Sequence, residues 1–180
     1  MIKFISGFIA AMVLVVILAL SYAGSLMFKE HQSPFGVEET AARIQRNIQG
    51  LEKNGWKLSG LRNPAKAVAA SGNNVAPVLL VEACSTKYSG PILKDDNIRI
   101  LSILMPCTIT VYKKDDGKTY IGMMNAGLMG RMFGSKVAEI MGHVAEDQAK
   151  FITFDASKPA PPLIVVQPGG GKGGPEAGGC

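Results

Sequence analysis

The chain opens on an apolar run with no period: from Phe4 to Phe28 no residue carries a formal charge, with Lys3 before the run and Lys29-Glu30 after it. As a helix, that length suffices to cross a hydrocarbon core of about 30 Å. The run reads as a membrane anchor or a signal peptide. Ser21 and Ala23 place small side chains where a signal peptidase needs them. Apolar residues nevertheless continue through Leu26, Met27 and Phe28, beyond a compact signal core, and this length favours an uncleaved anchor. No cysteine follows the run, which argues against a lipoprotein signal.

Beyond it the pattern becomes periodic. Val37, Ala41, Ile44, Ile48 and Leu51 recur at helical spacing, with Glu38 and Glu39 in the first turn and Gly55 placed to end the helix. Residues Trp56 to Ser59 alternate as a short strand, and Asn63-Pro64 supplies a cap and a first-turn proline for a brief helix through Ala70. Pro77 to Cys84 is dense in Val and Leu, as a largely buried strand requires. Thr108 to Tyr112 alternates, and Asp115-Asp116-Gly117 is a hairpin turn leading into a strand from Lys118 to Met124. From Asn125 on, Met129, Met132, Phe133, Val137, Ile140, Met141, Val144, Gln148 and Phe151 trace one long helix able to cover a sheet.

Strands flanked by segregated helices predict an α+β domain, an antiparallel sheet flanked by helices and preceded by one N-terminal transmembrane helix. The expected parts are an anchor over 1–28, a domain over 29–154 and a Pro/Gly-rich tail over 155–180. Such a tail cannot bury enough surface to offset its ordering entropy, so it is expected to be mobile. Its exception is the apolar patch Leu163 to Val166, a candidate docking strand or partner contact.

Charge narrows the partners. The chain holds 19 Lys and Arg against 14 Asp and Glu, a net +5, which is ordinary for solubility. Basic residues are interspersed with acids in 113–116 and 146–150, so no basic stripe for nucleic acid is present. The positive-inside count sets Lys3 against Lys29, Arg43 and Arg46 and chooses no side. The export-like start, basic and then apolar and then small, favours an inner-membrane protein with a periplasmic domain.

Cys84 ends one strand and Cys107 begins the next. If the two strands are antiparallel neighbours, the exit of one lies beside the entrance of the other, bringing the two sulfurs together. Three readings stay open. One is a structural disulfide, worth roughly 3 kcal/mol through loop closure. The others are a pair of buried thiols acting as small hydrophobes and a reactive pair that cycles in redox chemistry or holds a soft metal or a sulfur species. Lys87, and a helix capped by Ser85, would favour thiolate at Cys84. Tyr88, Met105, Tyr112 and Tyr120 are candidates to line a pocket beside the pair.

The methionines Met105, Met123, Met124, Met129, Met132 and Met141, with Cys84, Cys107 and His143, form a soft-ligand set suited to copper. Core packing already accounts for Met129, Met132 and Met141. Two histidines leave little material for a zinc site or a serine triad. Cys180, a third cysteine at the end of the chain, is a candidate for contact between molecules.

Several of these segments, taken in order, resemble a known family. Val37 to Thr40 opening a helix, Asn54-Gly55-Trp56, Glu82-Ala83-Cys84 with Lys87-Tyr88, Met105-Pro106-Cys107, Val111-Tyr112, Asp116-Gly117-Lys118 and Met124-Asn125 together are similar to the bacterial domain-of-unknown-function 302 family. The resemblance implies a compact α+β domain like the TATA-binding-protein-like fold and supplies no reaction. Members with paired cysteines look like exported or membrane-anchored proteins of bacteria with sulfur or respiratory metabolism. The expected function is that of a tethered periplasmic accessory domain with a thiol redox or sulfur-handling role. The alternatives are a non-catalytic subunit or assembly protein of an envelope or respiratory complex, contacting it through the anchor and residues 155–180, and a copper-binding accessory protein.

Overall fold

The computed structural model describes residues 2–165, apart from the side chains of 2–6, 10, 20 and 23. Helix α1 (Ile2–Met27) runs without a linker into strand β1 (Phe28–Ser33). Then come α2 (Val37–Gln49), β2 (Trp56–Arg62), α3 (Pro64–Ala69), β3 (Val78–Ser85), α4 (Thr86–Leu93), β4 (Cys107–Lys113), β5 (Thr119–Met124), α5 (Ala126–Arg131) and α6 (Ser135–Phe151). The five strands form one antiparallel sheet in the order β1-β5-β4-β3-β2. Among the described residues no helix is long and apolar enough to cross a membrane.

Strand alternation gives the sheet two unlike faces. Leu79, Val81, Ile109, Val111, Ile121 and Met123 point to a core closed by Ala41, Ile44 and Ile48 of α2 and by Val137, Met141, Val144 and Phe151 of α6. The other face carries Thr108, Thr110, Tyr112, Tyr120 and Gly122, all exposed or half-buried.

Several expected elements form as their residues dictate. Gly117, at φ +78°, makes the β4–β5 turn. Asn63 caps α3 by accepting from Lys66 N, with Pro64 in the first turn. Others differ. α2 stops at Gln49, and Gly55 (φ +74°) ends a separate 3-10 turn over Glu52–Asn54. The long helix expected from Asn125 is two helices, broken at Gly134, whose φ of +91° no right-handed helix accommodates. The break turns Met132 and Phe133 outward instead of onto the sheet. β1 is not evident in the sequence, because the apolar run masks its start.

The tail also departs from expectation, since its first part is held along α2. Buried Arg43 donates to Asp155 O (3.0 Å) and Lys158 O (2.9 Å) and stacks over Phe35. Buried Gln45 bonds Ile164 both ways, Nε2 to its carbonyl (2.8 Å) and Oε1 from its N–H (2.9 Å), and Leu163 packs on the core. Entropy would free this segment, but two buried side chains satisfy four of its backbone groups. Residues 166–180, including Cys180, lie outside the described residues.

Candidate functional site

The carboxyl ends of β3 and β5 and the amino ends of β1, β2 and β4 meet along one end of the sheet, as the pairs Phe28–Met124, Trp56–Ser85 and Ala83–Cys107 fix. β3 and β4 are antiparallel neighbours, and Cys84 and Cys107 both contribute to the wall of one cavity there. The register is one residue away from pairing them. Ala83 stands opposite Cys107 and shares its face, so alternation sends the Cys84 side chain to the other face, beside Lys57. Cys107 is a free thiol, so no disulfide joins the two, and Cys84 has an interaction of its own. Burial pushes the Cys107 thiol up to about 11, which keeps it protonated and unreactive at neutral pH.

The cavity has a volume of about 40 Å³, little more than a water molecule's share, and an almost wholly apolar wall. Ligand pockets are of the order of 300–1,000 Å³, so this one holds no substrate of ordinary size. Met105 and Cys107 from the turn into β4 face Met124, Met129 and Met141 across it.

The other candidates scatter. Ser85 stands at the N-cap of α4 but gives its hydroxyl to Asn54 O, and the Lys87 ammonium lies over the Tyr88 ring at 5.5 Å. Tyr112 and Tyr120 stack on each other on the open face, at the far end of the sheet, where Tyr112 bonds Glu30 and Tyr120 bonds Asp116 (2.7 Å). They line nothing beside Cys107. The Lys114 and Tyr112 bonds hold the Glu30 carboxyl below its usual range, while burial and Glu30 push Tyr112 up to about 12. Exposed His143 stacks on Tyr88 (ring centroids 6.2 Å apart), with Nδ1 3.6 Å from Glu146. Among the described residues no group of three or more His, Cys, Asp and Glu could hold a metal ion.

The densest polar constellation was missed by sequence reasoning. Asp147 of α6, 1% exposed, accepts from Asn54 Nδ2 (3.0 and 3.2 Å), Trp56 Nε1 (2.9 Å), Tyr88 OH (3.0 Å) and Lys150 Nζ (2.7 Å). Burial alone would raise its pKa; the bonds from Lys150, Trp56, Tyr88 and Asn54 outweigh that and hold it below the ordinary value. Burial and the same carboxylate push Tyr88 up to about 12, so it stays a donor. The carboxylate's acceptor sites are all taken. This is a latch joining α6, β2, α4 and the 3-10 turn, with no lone pair left to serve as a base. Its sequence signal was placement: three residues after Val144 and four before Phe151, Asp147 lies on the buried stripe of α6.

Comparison with known proteins agrees with this architecture. No curated protein matches the chain. Among solved structures it is similar to an uncharacterized conserved protein of the same family from Bacillus stearothermophilus, with 19% identity, a TM-score of 0.61 and coverage of 70% of this chain and 95% of that one. That likeness shows the fold. The sequence profile described as "Domain of unknown function DUF302" matches residues 29–153, most of the chain, and the protein belongs to that family.

Proposed function

We propose that this is a membrane-tethered, non-catalytic accessory domain, held by α1 at the periplasmic face of the inner membrane and acting through its surfaces within an envelope or respiratory complex. The observation that carries it is the junction. The uncharged run Phe4 to Phe28 is helical to Met27 and enters the sheet at the next residue. The hydroxyls of Ser21 and Ser25 bond the helix's own carbonyls, Ile17 O and Tyr22 O (both 2.8 Å), as a helix in lipid requires of its polar groups. Against catalysis at the end of the sheet beside α1 stand the small apolar cavity, the fully occupied Asp147 and the protonated Cys107. A thiol redox role for Cys84 and Cys107 is set aside, because the register parts their side chains.

Fractionation tests this reading. The full chain should resist carbonate extraction from membranes, be digested from the periplasmic side of spheroplasts and become soluble on deletion of residues 1–27. Recovery of the full chain in the soluble fraction would refute it.

A second reading is favoured by the cavity wall, which gathers one thiol and four thioethers at Cys107, Met105, Met124, Met129 and Met141. Soft sulfur ligands suit Cu(I), and Cys107 would bind after losing its proton. Titration of the reduced full chain with Cu(I) tests it. Stoichiometric uptake that Cys107→Ser abolishes would support it, and uptake indifferent to that change would end it.

A further inference from the structure

Where α1 joins the domain, Asn125 ties the two together. Its backbone N–H donates to Met27 O (2.8 Å) and its Nδ2 to Leu26 O (2.9 Å), while its Oδ1 accepts from Leu128 N and caps α5. The last turn of α1 is thus bonded to the start of α5, and β1 continues from it into the sheet with no residue free to act as a hinge. The end of the sheet that carries Trp56, Ser85, Cys107 and Met124 is therefore fixed beside the end of α1.

At that end the protein exposes the apolar residues that a soluble domain would bury. Ile100 and Ile103, on the 3-10 turn before β4, are 77% and 82% exposed. Met132 and Phe133, in the turn between α5 and α6, are 64% and 41% exposed. The two turns are neighbours, since Leu104 and Met105 at the end of the first share the cavity wall with Phe133 from the second and with Met129 of α5, and Lys136 Nζ reaches Asp95 Oδ2 at 2.6 Å. Asp95 is paired with Lys136 and Asp96 with Arg99, and the same segments carry Lys94 and, next to Met132 in the chain, Arg131.

We propose that Ile100, Ile103, Met132 and Phe133 form a second membrane contact, dipping into the boundary between headgroups and acyl chains of the bilayer that holds α1. The proposal rests on the reading of α1 as an anchor. An apolar tip with basic neighbours has the chemistry of an interfacial insertion into an anionic leaflet. The clamp at Asn125 determines which end of the domain meets the lipid. The contact fixes the domain's tilt, so that the open face of the sheet and its far end are presented away from the membrane to any partner.

Tryptophan quenching by brominated acyl chains tests this on the full chain in phosphatidylcholine–phosphatidylglycerol vesicles. The parent, whose single Trp56 is buried, sets the baseline. Three variants add one tryptophan each: Leu14→Trp in α1, Ile103→Trp at the rim and Val75→Trp at the far end, roughly 20 Å away along β3. Brominated lipid should reduce the added emission of Leu14→Trp and Ile103→Trp about twofold, as insertion to about 5–10 Å implies, and leave Val75→Trp unchanged. Quenching at Leu14→Trp without quenching at Ile103→Trp would overturn the rim contact and leave the anchor standing. If Ile103→Trp is instead blue-shifted, unquenched and crosslinked between chains, a second copy covers the rim and the proposal fails. Absence of quenching at Leu14→Trp would overturn the anchor and the rim contact together.

Discussion

Replacing Asp147 by Asn tests whether the buried carboxylate is a latch. The change keeps size and one carbonyl oxygen but turns an NH2 group toward donors that have no other acceptor. Trp56 Nε1, Tyr88 OH and Asn54 Nδ2 compete for what remains, whereas Lys150, 56% exposed, returns to water. A buried donor left unsatisfied costs about 1–3 kcal/mol. With one acceptor oxygen retained, the net loss should be about 3 kcal/mol, or roughly 6–12 °C in Tm for a chain of this size. The readout is built in: Trp56, the one tryptophan, reports urea unfolding of the full chain in detergent micelles. Acid supplies a second signature. The folded-state pKa of Asp147 lies below its unfolded value, so its stabilisation is complete above the unfolded pKa of about 3.9 and is lost as pH falls through the folded one. The gap between wild type and Asp147→Asn should therefore narrow on acidification below about pH 4. Lys150→Ala, which removes only the exposed partner, should cost no more than about 0.5–1 kcal/mol. A loss under about 1 kcal/mol for Asp147→Asn, or a gap that does not change with pH, would refute the latch.

Gly134→Ala should destabilise by about 1–2 kcal/mol through backbone strain alone, because its φ is +91° and an added Cβ meets nothing within 4 Å; denaturant titration measures it. Gly130→Ala drives its methyl to 2.5 Å from Met141 Cβ and should cost about 1–3 kcal/mol by overpacking the α5–α6 contact, and an unchanged midpoint would contradict that packing. Half-buried Cys107 should react slowly with iodoacetamide at pH 8 in the native chain and promptly in urea; peptide mass spectrometry reads both, and prompt native labelling would show that the thiol is not held protonated. Gln45→Ala should loosen the segment around Ile164, seen as new limited-proteolysis sites after Lys158, whereas an unchanged digest would mean that the Arg43 bonds and Leu163 packing hold the segment without Gln45.

Local chemistry was readable where one residue type decides a conformation. The Asp-Gly hairpin, the Asn-Pro start of α3 and the antiparallel pairing of β3 with β4 all agree with turn and strand rules. Elements whose limits depend on distant contacts were harder. β1 is polar along 29–33 and forms only by pairing with β5, and the break at Gly134 interrupts an apolar period that reads as continuous. The tail's first part looked entropically free because composition does not reveal that Arg43 and Gln45, on a helix more than a hundred residues earlier, bind its carbonyls.

The cysteine pair shows why proximity in topology falls short of a site. Neighbouring strands were enough to bring β3's exit beside β4's entrance, but a site also needs parity, and a register change of one residue moves a side chain through the sheet. Ala83 occupies the place opposite Cys107 that a bridge would require. No turn rule fixes that parity here, since β3 and β4 are joined by a helix and a 3-10 turn rather than a short hairpin. Asp147 was hidden for the complementary reason. A charge among charges looks solvated until the fold brings an indole N–H, a phenol and an amide around it, and those donors come from segments up to 93 residues away. The parity belongs to the register of β3 on β4 and the latch to the meeting of α6 with α4, β2 and the 3-10 turn, both at the end of the sheet at which Asn125 grips α1. Interior polar groups there, the Asp147 carboxylate above all, are taken up in holding elements together.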